Sequence, residues 1–163
     1  MALRKKQEGK LVIEQTRDVE LVRTILSGAR MTTDGIEWPP ACYLVAYFGR
    51  EPVGVIGVEP SLDAALIRSL YVRDEMRGRG IGAQLLAAAR KAAHTRGARS
   101  LYLFSGKAAD FFQRFGFVEV PAAQLIAALG AAPLVKYYEA RPDELASEAA
   151  WYLDISQDGV ILR

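Results

Sequence analysis

The chain has 163 residues, 51% of them hydrophobic and 25% charged, a globular mix of a length that suits one domain, residues 1–163, and excludes a disordered or fibrous chain. A formal net charge of +2 gives no general pull on nucleic acid, while one cysteine (Cys42) and one histidine (His94) exclude a disulfide framework and argue against a His/Cys metal cage. No apolar run approaches the roughly 18 residues that cross a bilayer and no hydrophobic segment follows the polar start, so the frame is a soluble, reduced, cytoplasmic domain without membrane, nucleic acid or metal.

Residues 1–9 read as a frayed start. Leu11–Gln15 alternate apolar and polar, as a short strand does. Asp18 then caps an amphipathic helix with Val19, Val22, Ile25 and Leu26 on one face. Residues 32–40, with a glycine and paired prolines, form a loop. Two β-rich runs, 42–48 and 53–59, are joined by Gly49–Pro52 as a hairpin, and a turn at 61–63 leads into a third strand, 64–72. Short connections make this an antiparallel meander.

After Val72 comes a charged, glycine-rich loop, 73–82, and then an alanine- and leucine-rich helix, 83–97, that stops at Gly97. The strand over 99–105 is reached through that helix and is therefore parallel to 64–72. Residues 107–117 form a short helix ending at Gly116, and 117–120 a strand. Further on, alanine-rich 122–132 predicts a helix, Pro142-Asp143-Glu144 opens another, 151–155 is a strand and the tail 158–163 turns back as one more. Residues 121–163 either complete the sheet or cover a cleft. Cys42, Phe115 and Phe117 are expected in the core and His94 at the surface.

The chemistry points to one loop. Arg77-Gly78-Arg79-Gly80-Ile81-Gly82 lies between a hydrophobic strand and a helix start, where unpaired N–H groups and the positive end of the dipole hold phosphates. The two arginines add cationic forks beside the backbone donors. A Walker loop fails, since Gly106-Lys107-Ala108 lacks the upstream glycine and the hydroxyl. A dinucleotide fingerprint is formally matched by Gly78, Gly80 and Ala83, but the next strand ends without the acidic residue it needs and no βαβ unit precedes it.

Arg77-x-x-Gly80-x-Gly82 resembles the (Q/R)-x-x-G-x-(G/A) motif of the GNAT superfamily of acetyl-CoA-dependent N-acetyltransferases, and Ala109–Phe117 resembles that family's second signature, a short helix closing on Gly-Phe. The resemblance runs from residue 11 to residue 120. It implies an α/β fold with a mixed central sheet, an antiparallel N-terminal meander and splayed parallel strands flanked by helices. It also implies acetyl-CoA as co-substrate and no metal. The backbone at Leu70, Tyr71 and Val72 would bind the pantetheine arm, Arg77, Gly78, Arg79, Gly80, Ile81 and Gly82 the pyrophosphate, and Ser105, Phe111 and Phe112 would line the other side of the arm. Together, LIRSLYV, RGRGIG and LYLFSGKAADFFQRFGF look like a branch containing N-acetylglutamate-synthase-like and arsenic-resistance-associated N-acetyltransferases.

Acetyl transfer to an amine needs a neutral amine, alignment with the thioester and stabilisation of the oxyanion and departing thiolate. Glu59 is the candidate base, acting through water. Many members of the family protonate the thiolate with a tyrosine where this chain has Phe112, which leaves Tyr71, Ser105, bulk water or no general acid at all. Arg68, mid-strand and by alternation on one face with Leu66 and Leu70, meets a carboxylate of the protein or anchors one of the substrate. Lys107 is a second candidate for an anionic acceptor. The expected function is acetyl transfer from acetyl-CoA to the primary amine of a small, carboxylate-bearing molecule by direct attack in a ternary complex. The alternatives are a non-catalytic acyl-CoA sensor and a protein lysine or N-terminal acetyltransferase. Whether two copies form a homodimer is left open.

Overall fold

A computed structural model describes residues 9–160. Strands β1 (Leu11–Thr16), β2 (Cys42–Phe48), β3 (Glu51–Pro60) and β4 (Ala64–Val72) form an antiparallel meander in which each pairs with the next. Helix α1 (Val19–Gly28) joins the first two and is capped as its sequence requires, with Leu21 N–H donating to Asp18 Oδ1 at 3.0 Å. After β4 a single 3₁₀ turn over Asp74–Met76 leads into helix α2 (Ile81–Thr95). That helix closes on Gly97, whose φ of +95° only glycine adopts freely, with Ala98 N–H returning to Ala93 O. Strand β5 (Ser100–Phe104) runs parallel to β4, as expected.

Helix α3 (Ala109–Arg114), strand β6 (Val118–Val120), helices α4 (Ala122–Leu129), α5 (Pro133–Glu139) and α6 (Pro142–Ala146) and strand β7 (Ala150–Asp154) complete the chain. Strand β7 inserts between β5 and β6, so the seven strands stand in the order β1-β2-β3-β4-β5-β7-β6. This is the mixed α/β sheet that the sequence led us to expect; residues 121–160 complete it, but none of them lines the cleft described below. Strand β7 extends the sheet, while α4 and α5 cover part of one face.

The two faces have separate cores. On one, Leu85, Leu86 and Ala89 of α2 pack against Leu44, Ile56 and Ile67. On the other, Val22 and Leu26 of α1 cover Val45 and Val55, and beside them Leu125 and Leu129 of α4 and Val135 of α5 cover Leu66 and Tyr102. The pattern is period-two alternation seen from both sides of a fully buried sheet centre.

Four expectations change. Helix α5 was not foreseen; the alanine-rich helix stops at Leu129, and Pro133, at a first-turn position where its missing N–H costs nothing, starts a new one. The tail over 156–159 is a turn and not a strand, with Gly159 at φ +76°, while residues 161–163, like 1–8 at the expected frayed start, lie outside the described residues. Phe115 is 37% exposed at a rim instead of in the core, although Phe117 is buried. Arg68 does not share a face with Leu70. Tyr71 pairs with Val55 but Arg68 with Gly57, so Ser69 and Leu70 oppose the single residue Ile56. This bulge, with Ser69 at φ +60°, turns Leu70 to the α2 face and leaves Arg68 and Leu66 on the other.

The tail turn is held by Arg90 of α2, which donates to both Asp158 oxygens at 2.5 and 2.6 Å and holds that carboxyl below the usual carboxylate range. A depressed native value contributes stability above the ordinary carboxylate value of about 4, and that contribution is lost as pH falls through the native value. The pair is part-exposed, so Asp158→Asn is expected to cost about 0.5–1 kcal/mol at pH 7 and nothing in strong acid, as urea melts of both proteins across pH will show.

Candidate active site

Only three residue pairs join β4 to β5, from Ala64↔Ser100 to Leu66↔Tyr102. Beyond Leu66 the strands part, and Ile67–Val72 presents an edge with no strand partner on the β5 side. The gap opens into a cleft of about 830 Å³. On the α2 face its walls include Leu70, Val72, Phe111 and Phe112. On the opposite face they include Met31, Arg68 and Tyr71, while Ser105 and Phe104 stand at the end of β5.

The glycine-rich loop forms one end of this cleft. Gly78 and Gly80 have φ of +76° and +78°, the left-handed region that side chains rarely adopt. Gly80 occupies the N-cap of α2 and has no side chain to satisfy the first turn. The first internal bond of the helix is Gln84 N–H to Gly80 O, at 3.1 Å, and none of the amides of residues 78–83 donates to another described residue. Six unpaired donors at the positive end of a 15-residue helix make a site for an anion. Arg77 is turned back, its Nε donating to Val72 O at 3.0 Å and its Nη2 lying 3.2 Å from Asp74. Arg79 is exposed and outside the cleft lining.

At the other end sits a buried ion pair. Arg68 is 3% exposed and Glu59 0%. Arg68 Nη1 donates to Glu59 Oε2 at 2.9 Å and to Asp34 O at 2.7 Å, Nη2 to Thr32 O at 3.3 Å, and Nε to Ser69 Oγ at 3.0 Å. Glu59 Oε1 accepts from Leu134 N–H at 3.1 Å. Burial pushes the Glu59 carboxyl up, against the opposing pull of Arg68 and of the Leu134 N–H. Tyr43 of β2 lies beside the pair, and burial pushes its phenol up to about 12. Its hydroxyl is the one fully buried side-chain polar atom without a hydrogen bond among the described residues. Gly57 makes the crossing of these groups feasible, since a Cβ there would lie 2.6 Å from the Tyr43 ring and 3.0 Å from Arg68 Cγ.

Ser105 is tied on three sides. Its Oγ accepts from Ala108 N–H at the start of α3, its N–H donates to Ala149 O, and its carbonyl accepts from Trp151 Nε1 at 3.0 Å. Lys107 is exposed and does not line the cleft, and neither does Glu59.

Residues 39–119, about half of the chain, match the family model described as the acetyltransferase (GNAT) domain. The chain carries a GNAT acetyltransferase domain. Solved structures agree on the fold. N-acetylglutamate synthase from Neisseria gonorrhoeae, complexed with coenzyme A and N-acetyl-glutamate, superposes with a TM-score of 0.68 at 15% identity over 91% of this chain and 36% of that one. The chain thus spans about a third of that enzyme. A GNAT-family acetyltransferase from Staphylococcus aureus Mu50 gives 0.66 at 15% identity over 90% and 99% of the two chains. Rv2747 from Mycobacterium tuberculosis, in complex with CoA and NLQ, gives 0.63 at 17% identity over 88% and 98%. No curated protein matches the sequence.

Within this GNAT domain the cleft gathers Arg68, Leu70, Tyr71, Val72, Arg77, Gly78, Gly80, Ile81, Gly82, Ser105, Phe111 and Phe112 from the sequence-based candidates. It leaves out Glu59, Arg79 and Lys107. Among the lining residues that sequence reasoning missed are Met31, Met76, Phe104, Ala108 and Arg114. Of these, Met31 follows Arg30, two residues beyond α1, whose φ of +58° turns the chain back, and no local pattern signals that return. The Glu59–Arg68 pairing was legible, because a hairpin turning at 61–63 sets Glu59 opposite Leu66 and one diagonal step from Arg68 on the same face.

Removing one partner of a fully buried pair leaves the other charge uncompensated. Arg68→Ala and Glu59→Ala are each expected to cost about 3–5 kcal/mol in chemical denaturation, and the double variant Glu59→Leu/Arg68→Met to recover part of that loss. A loss below 1 kcal/mol for both single variants is the contrary result.

Proposed function

We propose that this domain transfers the acetyl group of acetyl-CoA to the primary amine of a small molecule by direct attack in a ternary complex. One observation carries the reading: of the six residues 78–83 whose amides are unpaired, all but Arg79 line the same cleft as the unpartnered edge of β4. A diphosphate fits the first and an extended amide-bearing arm fits the second. The coenzyme A in the N-acetylglutamate synthase and Rv2747 structures supports the same assignment.

In this reading the amides of Gly78–Gly82 hold the pyrophosphate, with Arg77 and Arg79 as nearby cations. Leu70, Tyr71 and Val72 hydrogen-bond the pantetheine arm through their backbone, and Phe111, Phe112 and Ser105 close the other side. Acetyl-CoA supplies the activated thioester. Backbone N–H groups near Leu70 and Tyr71 meet the developing oxyanion. The hydroxyls of Tyr71 and Ser105 line the cleft as proton donors for the departing thiolate, and Ser105 Oγ already accepts from Ala108 N–H, so its own proton is free to point outward. Phe112 serves packing, at the core edge against Phe117.

Glu59 does not suit the role of base. Both of its oxygens are bonded inside the protein and it has no exposure to the cleft. Proton removal then falls to water, and the reactive species is whatever neutral amine the solution supplies. Arg68 is likewise engaged by a carboxylate of the protein, so the carboxylate-bearing acceptor loses the anchor that suggested it.

Two measurements test the reading. Isothermal titration is expected to show acetyl-CoA binding that weakens as salt rises and is lost by at least about tenfold in Gly80→Val, where a β-branched side chain strains a left-handed N-cap. A chain that binds no acetyl-CoA discards the proposal. In a thiol-release assay, log kcat/KM is expected to rise with pH at a slope near one and level off at the pKa of each amine acceptor, because the neutral fraction grows until then. A break at one common pH for all amines would instead assign the proton to a protein group.

A further inference from the structure

Resting on the acetyl-transfer reading, we infer that the acceptor is a primary amine on an aryl or alkyl body without a carboxylate, seated against Met31, Tyr71 and Phe104. The first argument is charge. Among the described residues, the charged side chains that line the cleft are Arg68, Arg77 and Arg114. Arg77 and Arg114 belong to the anion-binding end, one bonded to Val72 O and Asp74, the other 6.0 Å over the Phe111 ring. Arg68 faces the acceptor side, but four of its five N–H groups already donate to Glu59, Asp34, Thr32 and Ser69. A substrate carboxylate arriving there meets a neutralised pair and is desolvated without a partner, which is costly.

The second argument is what stands in place of a cation. Met31 reaches the cleft from a loop fixed twice, by its own N–H bonding back to Leu26 O at 2.9 Å and by Arg68 gripping the carbonyls at 32 and 34. Tyr71 lies on the same face, turned there by the bulge at Ser69. Phe104 lines the gap from β5 and is backed by Tyr138 of α5, with ring centroids 4.9 Å apart. A thioether and two aromatic rings, all half-buried, make a seat for an apolar or aromatic body. Arg141, which reaches the segment after α1, is engaged over the Tyr137 ring at 3.8 Å and beside Asp34 at 3.8 Å.

Matched pairs that differ only in the carboxylate test this: phenethylamine against L-phenylalanine, and tryptamine against L-tryptophan, compared per neutral amine with the full chain and acetyl-CoA. The decarboxylated member of each pair is expected to show kcat/KM at least about tenfold higher. Met31→Arg, which adds an unpaired cation to the seat, is expected to shrink that ratio about tenfold while acetyl-CoA affinity by titration and the melting temperature hold. Equal or reversed preference in the unmodified chain overturns the inference, as does acetylation of none of the four amines by protein that binds acetyl-CoA. An unchanged ratio in folded Met31→Arg overturns the placement of the seat. Failure to bind acetyl-CoA is a different result, since it removes the acetyl-transfer reading itself and this inference with it.

Discussion

A parallel ladder that stops after three pairs governs this structure. Were β4 and β5 joined along their length, the sheet would be continuous and every donor and acceptor of Ile67–Val72 would be satisfied within it. Their separation leaves an edge and a gap, and the segments around it follow from that. The bulge at Ser69 redirects the end of β4, so that Tyr71 faces the α1 side and Leu70 the α2 side. The first turn of α2, with no capping side chain, points its amides at the mouth of the same gap. Holding such an opening requires anchors on both banks. Trp151 and Ala149 fix the end of β5 through Ser105, and Arg73 N–H returns to Val53 O to fix the end of β4.

Much of this was legible in the residues. The meander was written in period-two alternation and in short turns, and the loop in three alternate glycines with two arginines. What escaped was long-range. Alternation places Arg68 with Leu70 only if the strand is regular, and a bulge carried by a serine, at a dihedral more often taken by glycine, leaves no local mark. Helix α5 was hidden by its composition, since Tyr137 and Tyr138 are poor helix formers and its packing against Glu59 and Leu66 comes from a distant part of the chain. Phe115 was assigned to the core with Phe117 because both are large and apolar. Gly116, at φ +90°, separates them and sends one to the rim and the other inward.

The ion pair between Glu59 and Arg68 is better understood as a fastener than as a source of stability. Burying both charges costs several kcal/mol per ion, which the mutual attraction roughly offsets when each group is fully bonded. The pair also ties separate pieces of the chain to one point: β3 and β4 by their side chains, the start of α5 through Leu134 N–H, and the segment after α1 through two carbonyls. An apolar replacement would fill the volume without specifying where those pieces lie.

The grip on the segment after α1 is made through main-chain oxygens of Thr32 and Asp34. Such a clasp is indifferent to which amino acids occupy 31–34, provided the backbone keeps its path. The wall that a guest molecule would touch is therefore interchangeable in chemistry yet constant in position. The sheet beneath is not, because Gly57 admits no side chain where the Tyr43 ring and the Arg68 stem cross. Diversification of what this fold accepts is thereby channelled into a few surface residues that can change one at a time without loosening the scaffold.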